Sequence, residues 1–221
     1  MDGIKSKERV KQHGEVFTPD SIVNDMIGLI DSGYIEDGIT PESYILKTYL
    51  EPACGNGNFL IRLLDRKLAA VRLLEKEKQE TGLIQAVSSI YGIDIQEDNV
   101  HESIERMMEL IKNGSVEVLE LQGKDKRPFY NGGKFEMSPK TEEIVKFILE
   151  KNIVLGNALE TDETKAAKLF NWNFNGDKVN PQIFYMTNVD NDIDIGNTAT
   201  HWKYLMELNY VHDDSTLDMD F

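Results

Sequence analysis

Glu51-Pro52-Ala53-Cys54-Gly55-Asn56-Gly57-Asn58-Phe59 is the stretch that decides the fold of this chain. An apolar run, residues 44–50, precedes it, and an amphipathic segment begins at Phe59. This order predicts a strand, a loop of small residues and a helix. Glycines let backbone N–H groups approach a ligand, and the helix start adds unpaired donors. Glu51 favours an amino group or a ribose hydroxyl over a phosphate. The alternative is a tight turn in which the glycines serve geometry alone.

Length and composition indicate one α/β domain, or one domain with an appendage, in 221 residues of which 40% are apolar. The single cysteine, Cys54, excludes a disulfide framework and a cysteine-based zinc site. No apolar run is long enough for a membrane span and no signal peptide opens the chain, so we expect a cytoplasmic protein that makes no membrane contact.

The net charge of −15, from 24 basic and 39 acidic residues, bears on nucleic-acid binding. Proteins that grip duplex DNA alone usually present a basic face, because neutralisation of phosphates supplies most of the affinity. The charge balance therefore argues against strong autonomous DNA binding.

The predicted organisation has three parts: a polar arm (1–13), a cofactor-binding domain (14–211) with an insertion at 113–140, and an acidic tail (212–221). Apolar periodicity and turn residues predict the elements within the domain. These are a helix from Asp20 or Ser21, a turn-rich loop over 31–43, a long helix over 59–80 broken at Thr81-Gly82, a strand over 89–95, helices over 99–111 and 141–151, and strands over 152–155 and 182–187.

Polar side chains follow two of the later predicted strands. Asp94 ends the strand over 89–95, and Asn157 and Ala158 follow the strand over 152–155. In a doubly wound sheet, ligands bind outside the carboxyl ends of the strands, where a carboxylate accepts hydrogen bonds from ribose hydroxyls. The alternatives are a turn acid at Asp94, with Asp98 as the cap of the next helix, and an ordinary turn asparagine at Asn157.

Four segments resemble, in the same order, motifs of the S-adenosylmethionine-dependent adenine-N6 DNA methyltransferases. GEVFTP (14–19) resembles motif X, EPACGNGNF (51–59) motif I, YGIDI (91–95) motif II and GNAL (156–159) motif III. The resemblance covers residues 14–160. It implies an α/β, Rossmann-like class I methyltransferase sheet that binds S-adenosyl-L-methionine. We expect no metal site.

The resemblance also implies roles for individual residues. Glu51 and the loop after it would hold the amino-acid end of the cofactor, Asp94 the ribose, Ile95 and Asn157 the adenine, and the motif X segment would cover the methionine. The residues that it assigns to the cofactor are Phe17, Thr18, Pro19, Glu51, Pro52, Ala53, Cys54, Gly55, Asn56, Gly57, Asp94, Ile95, Asn157 and Ala158.

The chain departs from the family after residue 160. The family's fourth strand ends in Asn/Asp/Ser-Pro-Pro-Tyr/Phe, which binds the target base, and this tetrapeptide does not occur here. Asn180-Pro181 is predicted to be a strand-entry turn. If residues 182–187 form the fourth strand, the catalytic loop falls near Asn188, which makes Asn188 one catalytic candidate. Asn180, as part of the Asn-Pro dipeptide, is the other. The family fold continues for about three more strands, so we expect a C-terminally shortened sheet.

Three functions stay open at the level of the sequence. The first is a DNA adenine-N6 methyltransferase, of the restriction-modification subunit type, completed by a partner or a divergent catalytic loop. The second is a catalytically inactive, cofactor-binding regulatory subunit. The third is an acidic phage-type protein that interferes with host restriction. The first two imply contact with DNA through a partner subunit and are compatible with a homo- or hetero-oligomer.

Overall fold

Helices alternate with the first three strands of the chain, and an antiparallel hairpin follows. A computed structural model of the protein describes residues 5–13, 15–36, 38–114, 135–162, 164–175 and 178–186. The elements are α1 (Lys7–His13), α2 (Asp20–Glu36), α3 (Pro41–Ile45), β1 (Tyr49–Glu51), α4 (Asn58–Val71), a 3-10 helix (Lys76–Lys78), α5 (Gln79–Ser88), β2 (Ile90–Asp94), α6 (Glu97–Asn113), α7 (Pro139–Asn152), β3 (Ile153–Leu155), β4 (Ala167–Asn175) and β5 (Lys178–Met186).

The first three strands form a parallel sheet in the order β1-β2-β3. Leu50 pairs with Tyr91, and Ile93 pairs with Val154. Every residue of the central strand β2 is buried, as is typical of a parallel strand covered by helices on both faces. The predicted α/β class is thus confirmed as a mixed α/β fold, with helices around a parallel sheet and a small hairpin beside it.

The core lies between the sheet and its helices. Leu60, Leu64 and Leu68 repeat every four residues on α4, and all three are fully buried. This spacing places them on one face of the helix. Burying a leucine side chain contributes about 1.5–3 kcal/mol. The corresponding buried faces of α5 and α7 contribute Leu83, Ile84, Val87, Val145, Ile148 and Leu149.

The predicted long helix over 59–80 is wrong, because two helices occupy this region. The first, α4, ends at Val71, and α5 begins at Gln79. Gly82 lies inside α5 and does not break it. A Cβ at Gly82 would lie 2.6 Å from the Cδ1 atom of Leu74, so the glycine permits close packing between the segment after α4 and α5.

The predicted loop over 31–43 and the strand start at residue 44 are also corrected. Helix α2 continues to Glu36, and α3 occupies Pro41–Ile45. Thr40 caps α3, because its side chain accepts a hydrogen bond from the backbone N–H of Ser43. A proline at the first position also suits a helix start. The strand that leads into the glycine loop therefore has only three residues.

The predicted turn at Asn180-Pro181 is wrong as well, because β5 runs through both residues. Asn180 pairs with Asn173 and Pro181 with Trp172 in the antiparallel sheet formed by β4 and β5. Proline is tolerated here because each strand of a two-stranded sheet has an unpaired edge. Since β5 pairs with β4, it is not a fourth strand of the parallel sheet.

The other predictions made for the C-terminal part fall on residues that the structure does not describe. They concern Asn188, most of the insertion at 113–140 and the tail at 212–221. Within the described ranges, no helix combines the length and apolar composition that crossing a bilayer requires.

Lys67 joins three elements from inside the core. Its side chain is fully buried, and its Nζ donates to the carbonyls of Ile45 at 2.6 Å and Lys47 at 2.5 Å and to Ser89 Oγ at 2.6 Å. These bonds tie α4 to the last residue of α3, to the segment between α3 and β1 and to the residue before β2. Burial lowers the pKa of Lys67 well below its ordinary value.

We expect Lys67→Met to lower the free energy of unfolding by about 2–3 kcal/mol, because the carbonyls of Ile45 and Lys47 and the hydroxyl of Ser89 each lose a hydrogen bond. Urea unfolding measures the change. Lys146→Met is the matched control, since Lys146 is exposed on α7 and, among the described residues, pairs with Glu150 at 3.9 Å. It should change the stability by less than about 0.5 kcal/mol. Equal effects of the two substitutions would contradict the role of Lys67.

Candidate functional site

A cleft of about 240 Å³ lies at the carboxyl ends of β1 and β2. Three segments that are distant in sequence form it: residues 15–18 before α2, the loop and first turn after β1, and the end of β2 with the first turn of α6. The lining residues are Glu15, Val16, Phe17, Thr18, Glu51, Ala53, Cys54, Gly55, Asn56, Asn58, Phe59, Asp94, Ile95, Gln96 and Asn99. The carboxyl ends of parallel strands are the usual place for ligands in such a fold.

Two glycines shape the loop between β1 and α4. Gly55 has φ +53° and Gly57 has φ +86°, a region that side chains other than glycine rarely adopt. A Cβ on Gly55 would lie 3.2 Å from the Phe17 ring, and one on Gly57 would lie 2.9 Å from Ser103 Oγ. The loop thus lies between the motif X segment and α6. Its backbone conformation and close packing require glycine at both positions, whether or not a ligand binds.

The carboxylate of Asp94 connects the loop to the neighbouring strand. Its Oδ2 accepts from the backbone N–H of Gly55 at 2.8 Å. Its Oδ1 accepts from the N–H of Gln96 at 2.8 Å and from Asn99 Nδ2 at 3.3 Å. An ionised carboxylate has about four acceptor sites, so one remains for a ligand. Asp94 thus acts as the turn acid of the alternative interpretation while still lining the cleft.

Asp98, predicted to cap the helix after β2, has a different role. The cap of α6 is Gln96, which makes no side-chain bond to the helix. Asp98 instead forms ion pairs with Lys5 at 3.0 Å and Arg9 at 2.5 Å. These cations hold down the pKa of the Asp98 carboxyl, and the residues involved join the N-terminal arm to the start of α6.

Glu51 and Cys54 are both affected by burial. Desolvation raises the pKa of Glu51, and the Ala53 N–H at 3.4 Å from its Oε1 partly opposes this rise. Burial raises the pKa of the Cys54 thiol to about 12, and the nearby Asp94 and Glu51 carboxylates add to the shift. The thiol is therefore protonated at neutral pH, which argues against a nucleophile and fits a small packing residue.

The electrostatic character of the cleft is acidic. Three carboxylates line it, those of Glu15, Glu51 and Asp94, of which that of Glu15 is paired with Arg9, and the lining residues that the structure describes include no lysine, arginine or histidine. Among the groups behind the wall, Arg106 donates to the carbonyl of Asn56 at 2.5 Å and to Asn58 Oδ1 at 2.9 Å. A ligand with positive charge or hydroxyl donors suits such a wall better than a phosphate does.

The structure brings together most of the residues that the motifs assign to the cofactor, but not all of them. Pro19, Pro52, Gly57, Asn157 and Ala158 do not line the cleft. The Oδ1 of Asn157 accepts from the N–H of its neighbour Leu159 at 3.0 Å, the bond of an ordinary turn asparagine. Ala158 is buried in the core.

Sequence reasoning did not assign Glu15 and Asn99, which also line the cleft. Glu15 stands inside the GEVFTP segment, so an acidic residue within that motif was the available signal. Asn99 gave no signal, because only the fold brings it next to Glu15 and Asp94. In the part of the chain that the structure describes, no group of three or more His, Cys, Asp or Glu residues is arranged to hold a metal ion.

Comparison with protein-family models, with curated proteins and with solved structures finds no match to this chain. The likeness to adenine-N6 methyltransferases therefore rests on the four short sequence motifs alone.

We expect Gly57→Ala to lower the free energy of unfolding by about 1–3 kcal/mol, because alanine disfavours the positive φ and its Cβ would meet Ser103. Thermal or urea unfolding measures the change. Gly33→Ala is the matched control, since this glycine lies within α2 with no atom near its absent Cβ. The control should raise stability by about 0.5–1 kcal/mol. A Gly57→Ala protein as stable as the wild type would refute the described loop.

Proposed function

We propose that this chain binds S-adenosyl-L-methionine in the cleft, as a Rossmann-like, class I type cofactor domain related to the adenine-N6 DNA methyltransferases. One observation carries the proposal: the segments that resemble motifs X, I and II contribute to one cleft although they are far apart in sequence. A chance match to any one motif would give no reason for the three to meet at one edge of the sheet.

The chemistry of the cleft supports this ligand. S-adenosylmethionine carries a sulfonium, an ammonium and a ribose diol, and the cleft presents three carboxylates. Phosphate-bearing nucleotides suit this wall less well, because like charges repel. The start of α4 offers unpaired N–H groups to the one anionic group of the cofactor, its carboxylate.

The same residues suggest how the parts of the cofactor would be held. Glu51 would receive the ammonium, and Asp94 the ribose through its remaining acceptor site. Ile95, 53% exposed beside the cleft, offers an apolar surface for the adenine. Ligand pockets usually measure about 300–1,000 Å³, so part of a bound cofactor would lie at the protein surface.

We propose that methyl transfer to DNA needs a partner subunit or a divergent catalytic loop. The sequence has no Asn/Asp/Ser-Pro-Pro-Tyr/Phe tetrapeptide, and Asn180 lies in the hairpin strand β5 rather than after a strand of the parallel sheet. The net charge of −15 also favours DNA contact through another subunit. A regulatory, cofactor-binding subunit is the second candidate, and the same two observations favour it.

Calorimetry with S-adenosylmethionine tests the cofactor assignment. We expect Glu51→Gln to weaken binding about tenfold, because the ammonium loses a charged acceptor. Since burial raises the pKa of Glu51, wild-type affinity should fall as the pH is lowered through that value and the carboxyl is neutralised. The Glu51→Gln protein should lack this pH dependence.

The control for charge is Glu150→Gln, which removes an exposed carboxylate on α7 and should leave affinity unchanged. Absence of binding by the wild-type chain at millimolar cofactor would overturn the proposed function.

Transfer of a labelled methyl group to DNA separates the two candidates. We expect little transfer by the isolated chain, since the residues that bind the target base in the family are missing from its sequence. Activity with a co-expressed partner would favour the methyltransferase subunit, and its absence the regulatory subunit. Vigorous transfer by the isolated chain would contradict the need for a partner.

A further inference from the structure

Two buried side chains of the cleft, those of Glu15 and Asn99, lie outside the motif assignments. The Glu15 side chain is 8% exposed and Asn99 is 1% exposed, and both residues line the cleft. Polar groups buried to this extent normally have hydrogen-bond partners for their donors and acceptors.

The hydrogen bonds that Glu15 and Asn99 make show which of their side-chain atoms are left without a partner. Glu15 Oε1 accepts from Arg9 at 2.6 Å and from Asn99 Nδ2 at 2.7 Å. Asn99 Nδ2 also donates to Asp94 Oδ1 at 3.3 Å. Ionised carboxylates only accept hydrogen bonds, so the nitrogen of the amide must face them. The Asn99 oxygen is thereby left as an acceptor.

The remaining oxygens, Glu15 Oε2 and Asn99 Oδ1, are buried and have no hydrogen-bond partner within the described ranges. Each such group costs about 1–3 kcal/mol when it stays unpaired. Both are acceptors, and both belong to residues of one cleft. Donor groups of a ligand that reach these oxygens would satisfy them.

We infer that Glu15 and Asn99 form a further binding subsite for the vicinal hydroxyls of the ribose, next to Asp94. This inference rests on the proposed function. The direct bond between Asn99 and Asp94 places the pair on the ribose side of the cleft, at the end of β2, while Glu51 lies at the end of β1.

Hydroxyls fit this subsite better than an ammonium does. The Arg9 guanidinium already bonds to Glu15 Oε1 and offsets its charge, and the Asn99 amide is neutral. The attraction of the subsite for a cation is therefore reduced. Its two unpaired oxygens can each still accept a hydrogen bond from a hydroxyl. Arg9 acts here as a positioning residue, because it holds Glu15 against Asn99.

Calorimetry on the full chain with adenosine ligands tests the subsite. The probes are S-adenosylmethionine, 5′-methylthioadenosine, and the 2′-deoxy and 3′-deoxy forms of 5′-methylthioadenosine. The proteins are the wild type, Glu15→Gln, Asn99→Ala and the control Glu105→Gln, which removes an exposed carboxylate on α6. Circular dichroism confirms that each variant is folded.

We expect the wild type and Glu105→Gln to bind the two deoxy ligands about tenfold more weakly than 5′-methylthioadenosine. In Glu15→Gln and Asn99→Ala the affinity for 5′-methylthioadenosine should fall, while the affinity for at least one deoxy ligand should equal that of the wild type. The ratio of these two affinities should therefore fall below about threefold.

Other outcomes separate the inference from the proposed function. The subsite is overturned, while cofactor binding stands, if the variants bind all ligands more weakly by the same factor and keep the wild-type preference for 5′-methylthioadenosine over its deoxy forms. It is also overturned if the wild type binds the deoxy forms as tightly as 5′-methylthioadenosine. If one variant fails to fold, the other gives the test. If the wild type binds none of the adenosine ligands, both proposals fail.

Discussion

The hydrogen bond between the Asp94 carboxylate and the Gly55 backbone N–H is the interaction on which the cleft depends. The carboxylate sits at the end of β2, the amide lies in the loop after β1, and the same side chain also holds the start of α6 through Gln96. Hydrogen bonds to an ionised group are about twice as strong as those between neutral groups. One buried acid therefore fixes three segments relative to each other. These bonds within the protein hold the loop in place, so a ligand would meet a wall that needs little ordering on binding.

The sequence alone predicts the elements at the centre of the fold but not those at its periphery. The strand, glycine loop and helix around Glu51–Phe59 follow from local composition, and Asp94 follows from its place at the end of an apolar run. Gly82 could not be interpreted from the sequence, because its role depends on the proximity of Leu74, which only the packing of α5 creates. At Pro181 the sequence predicts a turn, because only its pairing with Trp172 shows that it lies in a strand with a free edge.

The candidate site shows the same division between local and long-range information. The motif segments were assigned from nearby residues, and most of them line the cleft. Glu15 and Asn99 are brought together by the fold although 84 positions separate them in the chain. A pattern of single residues carries no information about such a pair. At Asn157 a motif match predicts a ligand contact, and the fold adds that its Oδ1 accepts from the N–H of Leu159 within the local turn; the ligand contact stays a prediction.

The attachment of the N-terminal arm has a consequence for how the cleft responds to its surroundings. The described ion pairs of Lys5 and Arg9 with Asp98, Glu102 and Glu15 hold the arm against α6, and no described side chain of α1 is buried. Dissolved ions screen exposed pairs over about 8–10 Å at physiological ionic strength, whereas they affect apolar packing much less. The pairs of Lys5 and Arg9 with the partly exposed Asp98 and Glu102 are thus the salt-sensitive attachment of the arm, whereas the pair of Arg9 with the buried Glu15 and the wall built on the sheet are screened much less.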